Sequence, residues 1–336
     1  MRRLTPVIAL AALAGCAHQA PQAAPPDPQA QKALAVKATA AKAAVARAAH
    51  ANELGQIPVI MYHRVIAHPA TSDDQTPKQF REELERMAAE KYVPITAAEY
   101  VSGKIGVPAG THPVVLTFDD SSPSQVTLDA TGNPEKDTAV GILLDVARAH
   151  PGFRPVATFY VTRDMFGKFT PEEQTQVLTW LHDNGFDLGN HTRDHIDLRK
   201  QDRKAVVEQL TAGNHLITGH GLAAPSTLAL PYGNLPATKS WARSGDGYKF
   251  SGVFLAGYDP AESPFGTRFN ALEIPRIRSG PKTGECKQFC SAAWLDWLNK
   301  HAGQRFTSDG DPTTVAFPKF DRAFLAKTWA TKALPY

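Results

Sequence analysis

Two histidines stand four residues apart in the stretch GNHTRDH, at His191 and His195. Imidazoles at i and i+4 share one face of a helix, a spacing that suits a metal ion. The same pair also occurs on a solvated helix face or as a cap, so it needs a third ligand and an open coordination position to mean more. Other residue types that can do chemistry are scattered along the chain. His63 ends the apolar run from Ile57, and the pair Asp119-Asp120 follows Val114 to Phe118. Pro231-Tyr232-Gly233 follows Leu230, and Arg276 sits within IPRIR. Each has a plain structural reading. Paired aspartates after a strand often cap a helix, Pro-Tyr-Gly is often a turn, and a histidine in an apolar strand is often a satisfied core residue.

The elements that must position these residues alternate between strand and helix. Short apolar runs at Ile57–His63, Val114–Phe118, Val156–Val161, Phe186–Asn190, Ser226–Leu230, Ser251–Ala256 and Leu272–Ile277 read as strands. Between them lie helical patterns. Phe80, Leu84 and Met87 follow the three-to-four spacing after Pro77, and a helix is expected near Val140 to Ala149. Thr170-Pro171-Glu172-Glu173 carries a capping box with proline at the first helical position, and its helix stops at Asn184-Gly185. Another runs from about Asp202 to Thr218. Such alternation implies an α/β fold of parallel βαβ units, as a barrel or a doubly wound sheet. In a barrel, active sites gather at the C-terminal ends of the strands, and the candidate residues all fall at such ends. The polar stretch Ser121–Thr138 is expected to be a mobile or substrate-contacting loop over them.

LTFDDS at 116–121, NHTRDH at 190–195 and LPYG at 230–233, in this order, resemble the polysaccharide deacetylases of carbohydrate esterase family 4. IPVIMYHRV at 57–65 is similar to the opening strand of the branch that includes exopolysaccharide deacetylases. The resemblance spans about residues 55 to 280. It implies a distorted (β/α)7 barrel and metal-dependent removal of acetyl groups from an N-acetylated polysaccharide, with hydrolysis of a C–N amide. Carried over by position, it makes Asp120, His191 and His195 the metal ligands and Asp119 the general base. It also points to the backbone N–H of Tyr232 as an oxyanion donor. Two imidazoles and a carboxylate suit a borderline divalent ion, Zn2+ first, better than Mg2+ or Ca2+.

Three departures matter. The family pattern has an arginine where this chain has Ala229, so Asp119 needs another partner, for which Arg276 is the candidate. Ser121 stands in place of a glycine after the aspartates. No Leu-x-His motif, the family's general acid, occurs near the C-terminus. The only histidine after Arg278 is His301, in an unrelated context, and His63 is the candidate for that role. Two other readings stay open: an O-acetyl ester hydrolase acting on a glycan, and a non-catalytic sugar-binding lipoprotein on the same fold.

The beginning of the chain speaks to location. MRRLTPVIALAALAGCAHQ has a basic start, an apolar stretch too short to span a bilayer, and small residues before Cys16, the pattern of an export signal. Leu13-Ala14-Gly15-Cys16 resembles a lipoprotein cleavage site. It implies a signal peptide over 1–15, a lipidated Cys16 in the cell envelope, and the outer membrane facing the periplasm if the cell is Gram-negative. Residues 16–52 are rich in Ala, Pro, Gln and Lys and read as a tether, its Ala/Lys part helix-prone but without a packing face. The catalytic barrel is expected over 53–281 and a C-terminal extension over 282–336. The net charge of +3 argues against a nucleic-acid partner; a polysaccharide substrate and a monomer are expected. In an exported chain Cys286 and Cys290 are expected to form a disulfide.

Overall fold

A computed structural model describes residues 28–336. The signal-peptide and lipidation expectations, Cys16 included, lie outside the described residues. Among those residues no helix is long and apolar enough to cross a membrane.

The strands run β1 (Val59–Tyr62), β2 (Tyr92–Ile95), β3 (His112–Phe118), β4 (Thr158–Val161), β5 (Asp187–Asn190), β6 (Thr227–Ala229), a small hairpin of β7 (Ser244–Gly245) and β8 (Tyr248–Lys249), then β9 (Gly252–Phe254) and β10 (Ile277–Arg278). The helices are α1 (Pro28–Ala48), α2 (Pro77–Ala89), α3 (Ala97–Ser102), α4 (Ala139–Ala149), α5 (Pro171–Asp183), α6 (Arg203–Thr218), α7 (Ser240–Arg243), α8 (Cys286–Phe289) and α9 (Ser291–Lys300). The main sheet is parallel, in the order β10-β1-β3-β4-β5-β6-β9, with β2 joined to β3 at one side. It curls back on itself. Bridges pair Phe254 with Ile274 and Gly257 with Ile277, bringing the segment after β9 against β10. This is the α/β architecture of a distorted (β/α)7 barrel, with its closure made by bridges rather than by two full strands.

The helix ends follow their capping chemistry. Thr76 and Thr170 each accept from the backbone N–H three residues on, and Gln79 and Glu173 reach back to the cap N–H; Pro77 and Pro171 open the two helices. Phe80, Leu84 and Met87 of α2 are fully buried, each contributing roughly 1.5–3 kcal/mol of apolar burial. β3 is buried at every position because helices cover one side of the sheet and the barrel interior lies on the other. Its side chains alternate accordingly. Val114, Leu116 and Phe118 join the cluster under the helices, while Val115 faces the interior cluster with Val59, Ile95, Tyr160 and Phe254.

Several sequence expectations need correction. β2 and α3 were not legible. Pro94 interrupts the strand pattern, and α3 is a single capped turn and a half. Leu272–Ile277 is mostly irregular and only its last residue enters β10. The Ala/Lys helix does have a packing face at its end, where Ala46 is buried against Ala316 and Leu334. The Ser121–Thr138 segment is not uniformly loose. Gln125 and Val126 are fully buried, and Gln125 Nε2 donates to the carbonyls of His63 at 2.8 Å and Asp119 at 2.5 Å. Only its later part, from Asp129 to Asp137, is mainly exposed. The stretch after 282 belongs to the core: Leu295, Phe306, Val315 and Phe317 are all buried in it, and β11 (Val315–Phe317) pairs with β12 (Ala333–Pro335).

Candidate metal and catalytic site

The two-residue period of a strand decides which candidates meet. Tyr62 pairs with Phe118 across β1 and β3, so His63 and Asp119 follow at the same level. Both lie on the interior side, in step with Met61 and Thr117. β5 delivers His191 likewise, one position past Asn190, whose register partner is Val161 at the end of β4. Gly189 permits this placement, since a Cβ there would lie 2.3 Å from the Tyr160 ring. His63, Asp119, Asp120, His191, His195, Tyr232 and Arg276 all line one cavity of about 360 Å³ at the C-terminal ends of the strands.

Asp120, His191 and His195 offer ligand atoms that all lie within 4.8 Å of one another. Both imidazole Nε2 atoms stand 3.4 Å from the same Asp120 Oδ1, a buried oxygen with no hydrogen-bond partner. A buried unpaired oxygen facing two ring nitrogens is costly without a cation between them. His191 Nδ1 donates to the Ala229 carbonyl at 2.8 Å. A carbonyl only accepts, so a proton sits on Nδ1, and Nε2 is the nitrogen turned to Asp120 and available to a metal. The donor set fits a divalent transition ion.

The histidines do not reach this arrangement on a helix. His191 and His195 belong to an irregular turn after β5, in which Thr192 and His195 adopt φ of 60° and 51°. A tight left-handed turn, rather than a helix face, folds the second ring back, and the two rings lie 4.9 Å apart. The Asn190 side chain anchors that turn by accepting from Thr192 N at 2.7 Å.

Asp119 lies beside the ligand set, its Oδ2 3.7 Å from His191 Nε2. Arg276 grips it from both sides, with Nη1 and Nη2 each donating at 2.7 Å to one carboxylate oxygen. Nη1 also donates to Thr117 Oγ1 at 3.2 Å and Nε to the Leu255 carbonyl at 2.7 Å. Arg276 is fully buried over the Tyr160 ring. Burial alone would raise the Asp119 pKa, but Arg276 and then His191 outweigh it and hold the carboxyl well below the usual range. Burial also opposes the charge on Asp120, and His191 beside it more than compensates, lowering its pKa.

Asp120 and Ser121 carry φ of 74° and 54°, a region that glycine occupies at no steric cost. Ser121 compensates with its hydroxyl, which accepts from Thr162 N at 2.9 Å and ties the turn to the end of β4. Tyr232 has φ of 58°, its ring 4.9 Å from that of His195. His63 faces the same cavity, and its Nδ1 is buried without a partner. His301 is elsewhere, stacked on Trp297. Arg64, Thr71, Asp73, Asp74, Leu230 and Ala256 also line the cavity and were not singled out from sequence. Arg64 adjoins His63 and could have been noticed; Asp73 and Asp74 sit in a loop with no periodicity to mark them.

Residues 106–251 match the family model for polysaccharide deacetylase. A comparison with curated protein sequences finds no match. Among solved structures, the fold is similar to that of the deacetylase PplD of Streptococcus pyogenes in complex with acetate, with a TM-score of 0.53 at 20% identity over 70% of this chain and 98% of that one. It is similar also to IcaB from Ammonifex degensii, with a TM-score of 0.51 at 20% identity over 71% of this chain and 97% of that one. The match to the polysaccharide deacetylase model thus covers the middle of the chain, on a fold that these solved deacetylases share.

Proposed function

We propose that this enzyme hydrolyses the N-acetyl amide of a cell-wall polysaccharide or exopolysaccharide, with a divalent transition metal, zinc first, held by Asp120, His191 and His195. The observation that carries the reading is the convergence of these three ligands beside an arginine-clamped carboxylate that is not one of them. A zinc-type ion there would polarise the acetyl carbonyl and make a water more acidic.

The protein's own groups then have distinct work. Asp119, kept ionised and aimed by Arg276, takes a proton from the attacking water. The Tyr232 N–H is the candidate donor to the oxygen that gains negative charge as the carbonyl carbon becomes tetrahedral. Collapse breaks the C–N bond, releasing acetate. His63 faces the same cavity and is the candidate to hand a proton to the leaving nitrogen, in place of the absent Leu-x-His. Closing the site on strand ends keeps these groups on rigid supports.

The leader sequence supports export and attachment of the chain to the cell envelope through a lipidated Cys16. The Ala/Pro/Lys-rich segment would then hold a monomeric catalytic body away from the membrane.

Metal content together with acetate release from a panel of N- and O-acetylated glycans tests the reading. Acetate from N-acetylated oligomers with about one metal per chain is expected. Release from O-acetyl esters alone would move the scissile bond to C–O, and no release from any glycan would leave a sugar-binding protein.

A further inference from the structure

Two exposed aromatic rings, on segments that adjoin the cavity wall along the chain, take no part in the chemistry above. Tyr258 is 69% exposed and Phe289 is 50% exposed. Their rings meet edge to face with centroids 6.0 Å apart. Neither ring dangles from a loose loop. The Tyr258 carbonyl accepts from the Trp294 indole N–H, and Phe289 lies inside the loop closed by the Cys286–Cys290 disulfide.

The barrel's closure ties the segments that carry them to the cavity wall. Tyr258 is two residues beyond Ala256, which lines that cavity, and Gly257 between them bridges to Ile277. Cys290, next to Phe289, bridges to Arg278. Arg278 in turn reaches Ser72 Oγ at 3.2 Å and Asp73 Oδ1 at 3.6 Å, and Thr71, Asp73 and Asp74 are cavity residues. Arg64, also on the cavity wall, binds Asp74 through two hydrogen bonds of 2.7 Å. Planar, mutually neutralised charged pairs on the cavity wall are thus linked through Arg278 and Gly257 to two exposed aromatic rings.

That sequence of surfaces matches a sugar ring, which offers a C–H face to an aromatic side chain and an edge of hydroxyls to planar carboxylate and guanidinium groups. Because the rim arginines are already paired with aspartates, it favours a neutral glycan over an anionic polymer. We propose that Tyr258 and Phe289 form an aromatic subsite that stacks on a sugar residue neighbouring the one whose acetyl group enters the cavity. The disulfide-closed segment thereby sets a preference for oligomers over single sugars. This deepens the deacetylase reading and rests on it for the identity of the bound polymer.

The test uses the full, metal-loaded chain and three sugars: N-acetylglucosamine and its β-1,4- and β-1,6-linked pentamers. Calorimetry measures binding, and acetate release is followed separately. At least one pentamer is expected to bind more tightly than the monomer. Tyr258→Ala and Phe289→Ala should each weaken that pentamer roughly three- to tenfold and leave the monomer unchanged, while Tyr258→Phe, which keeps the ring, retains the affinity. Equal losses for monomer and pentamer, no loss in either alanine variant, or no preference for either pentamer would overturn the subsite. A parent enzyme that binds pentamers but releases no acetate from any sugar fails the deacetylase reading and leaves the subsite standing.

Discussion

Arg276 closes both arms of its guanidinium on Asp119, 2.7 Å from each carboxylate oxygen and 157 residues away along the chain. The side chains are 0% and 3% exposed, so the pair is sealed from screening water. It supplies the partner that the absence of an arginine at Ala229 left missing, and it does so from the position just before β10, the strand that closes the barrel.

Removing one member of such a pair strands a buried charge. Arg276→Met should lower folding stability by about 3–5 kcal/mol, measured by denaturant titration. Asp119→Asn in the same background should recover part of that loss, because the two costs are not additive for residues in contact. Losses that simply add would show that the ion pair is not a coupled unit.

The adjacent aspartates should separate cleanly. Asp120→Ala removes a ligand, so metal affinity and turnover should fall together. Asp119→Asn should keep its metal and its sugar affinity while kcat drops by about 10²–10⁴, the usual worth of a general base. Metal analysis beside steady-state kinetics distinguishes them. Weak metal binding in Asp119→Asn with normal binding in Asp120→Ala would reverse the two assignments.

His63→Ala should leave metal content intact and reduce kcat by about 10²–10⁴, with the loss depending on pH. Turnover unchanged across the pH range would make His63 a wall residue of the cavity and nothing more.

Glu53 gives the protein a stability that depends on pH away from the active site. Its carboxylate is buried, accepting from Ala316 N at 2.8 Å and Ser308 Oγ at 3.3 Å, near Asp309. Burial, then the Asp309 charge, pushes its pKa from 4.5 to about 8. The folded chain thus holds this proton more tightly than the unfolded one. The stabilisation is complete below pH 4.5 and is lost as pH rises through about 8, on the order of 5 kcal/mol in all. Glu53→Gln should flatten the decline in unfolding free energy between pH 5 and 9; an equally steep decline in the variant would place its origin in another group.

Much of the site was legible before any fold was known, because it depends on local rules. Apolar runs that end in His63, Asp119 and His191 mark strands whose period throws the terminal side chain inward. Thr76, Thr170 and Asp202 announce helix starts through their own hydroxyl or carboxylate oxygen. The disulfide expected of an exported chain is present between Cys286 and Cys290. His191 and His195 do converge on Asp120, but not through the helical geometry expected of their spacing. Nothing in NHTRDH shows that Thr192 and His195 take left-handed backbone angles, because those are imposed by Asn190 and the packing beneath.

What tertiary structure alone decided are the relations between distant segments. Sequence composition cannot show that Gln125 reaches the carbonyls of His63 and Asp119, and so turns the start of a polar loop into part of the core. Nor can it place Asp73, Asp74 and Arg64 on the cavity wall, or Tyr258 against Phe289. A strand's side-chain direction follows from the chain's own stereochemistry within a few residues. Which strand end meets which follows from the curl and closure of the sheet, a property of all its strands together. The residue types for the chemistry are therefore written locally, and the arrangement that lets Arg276 meet Asp119 exists only once the barrel has closed.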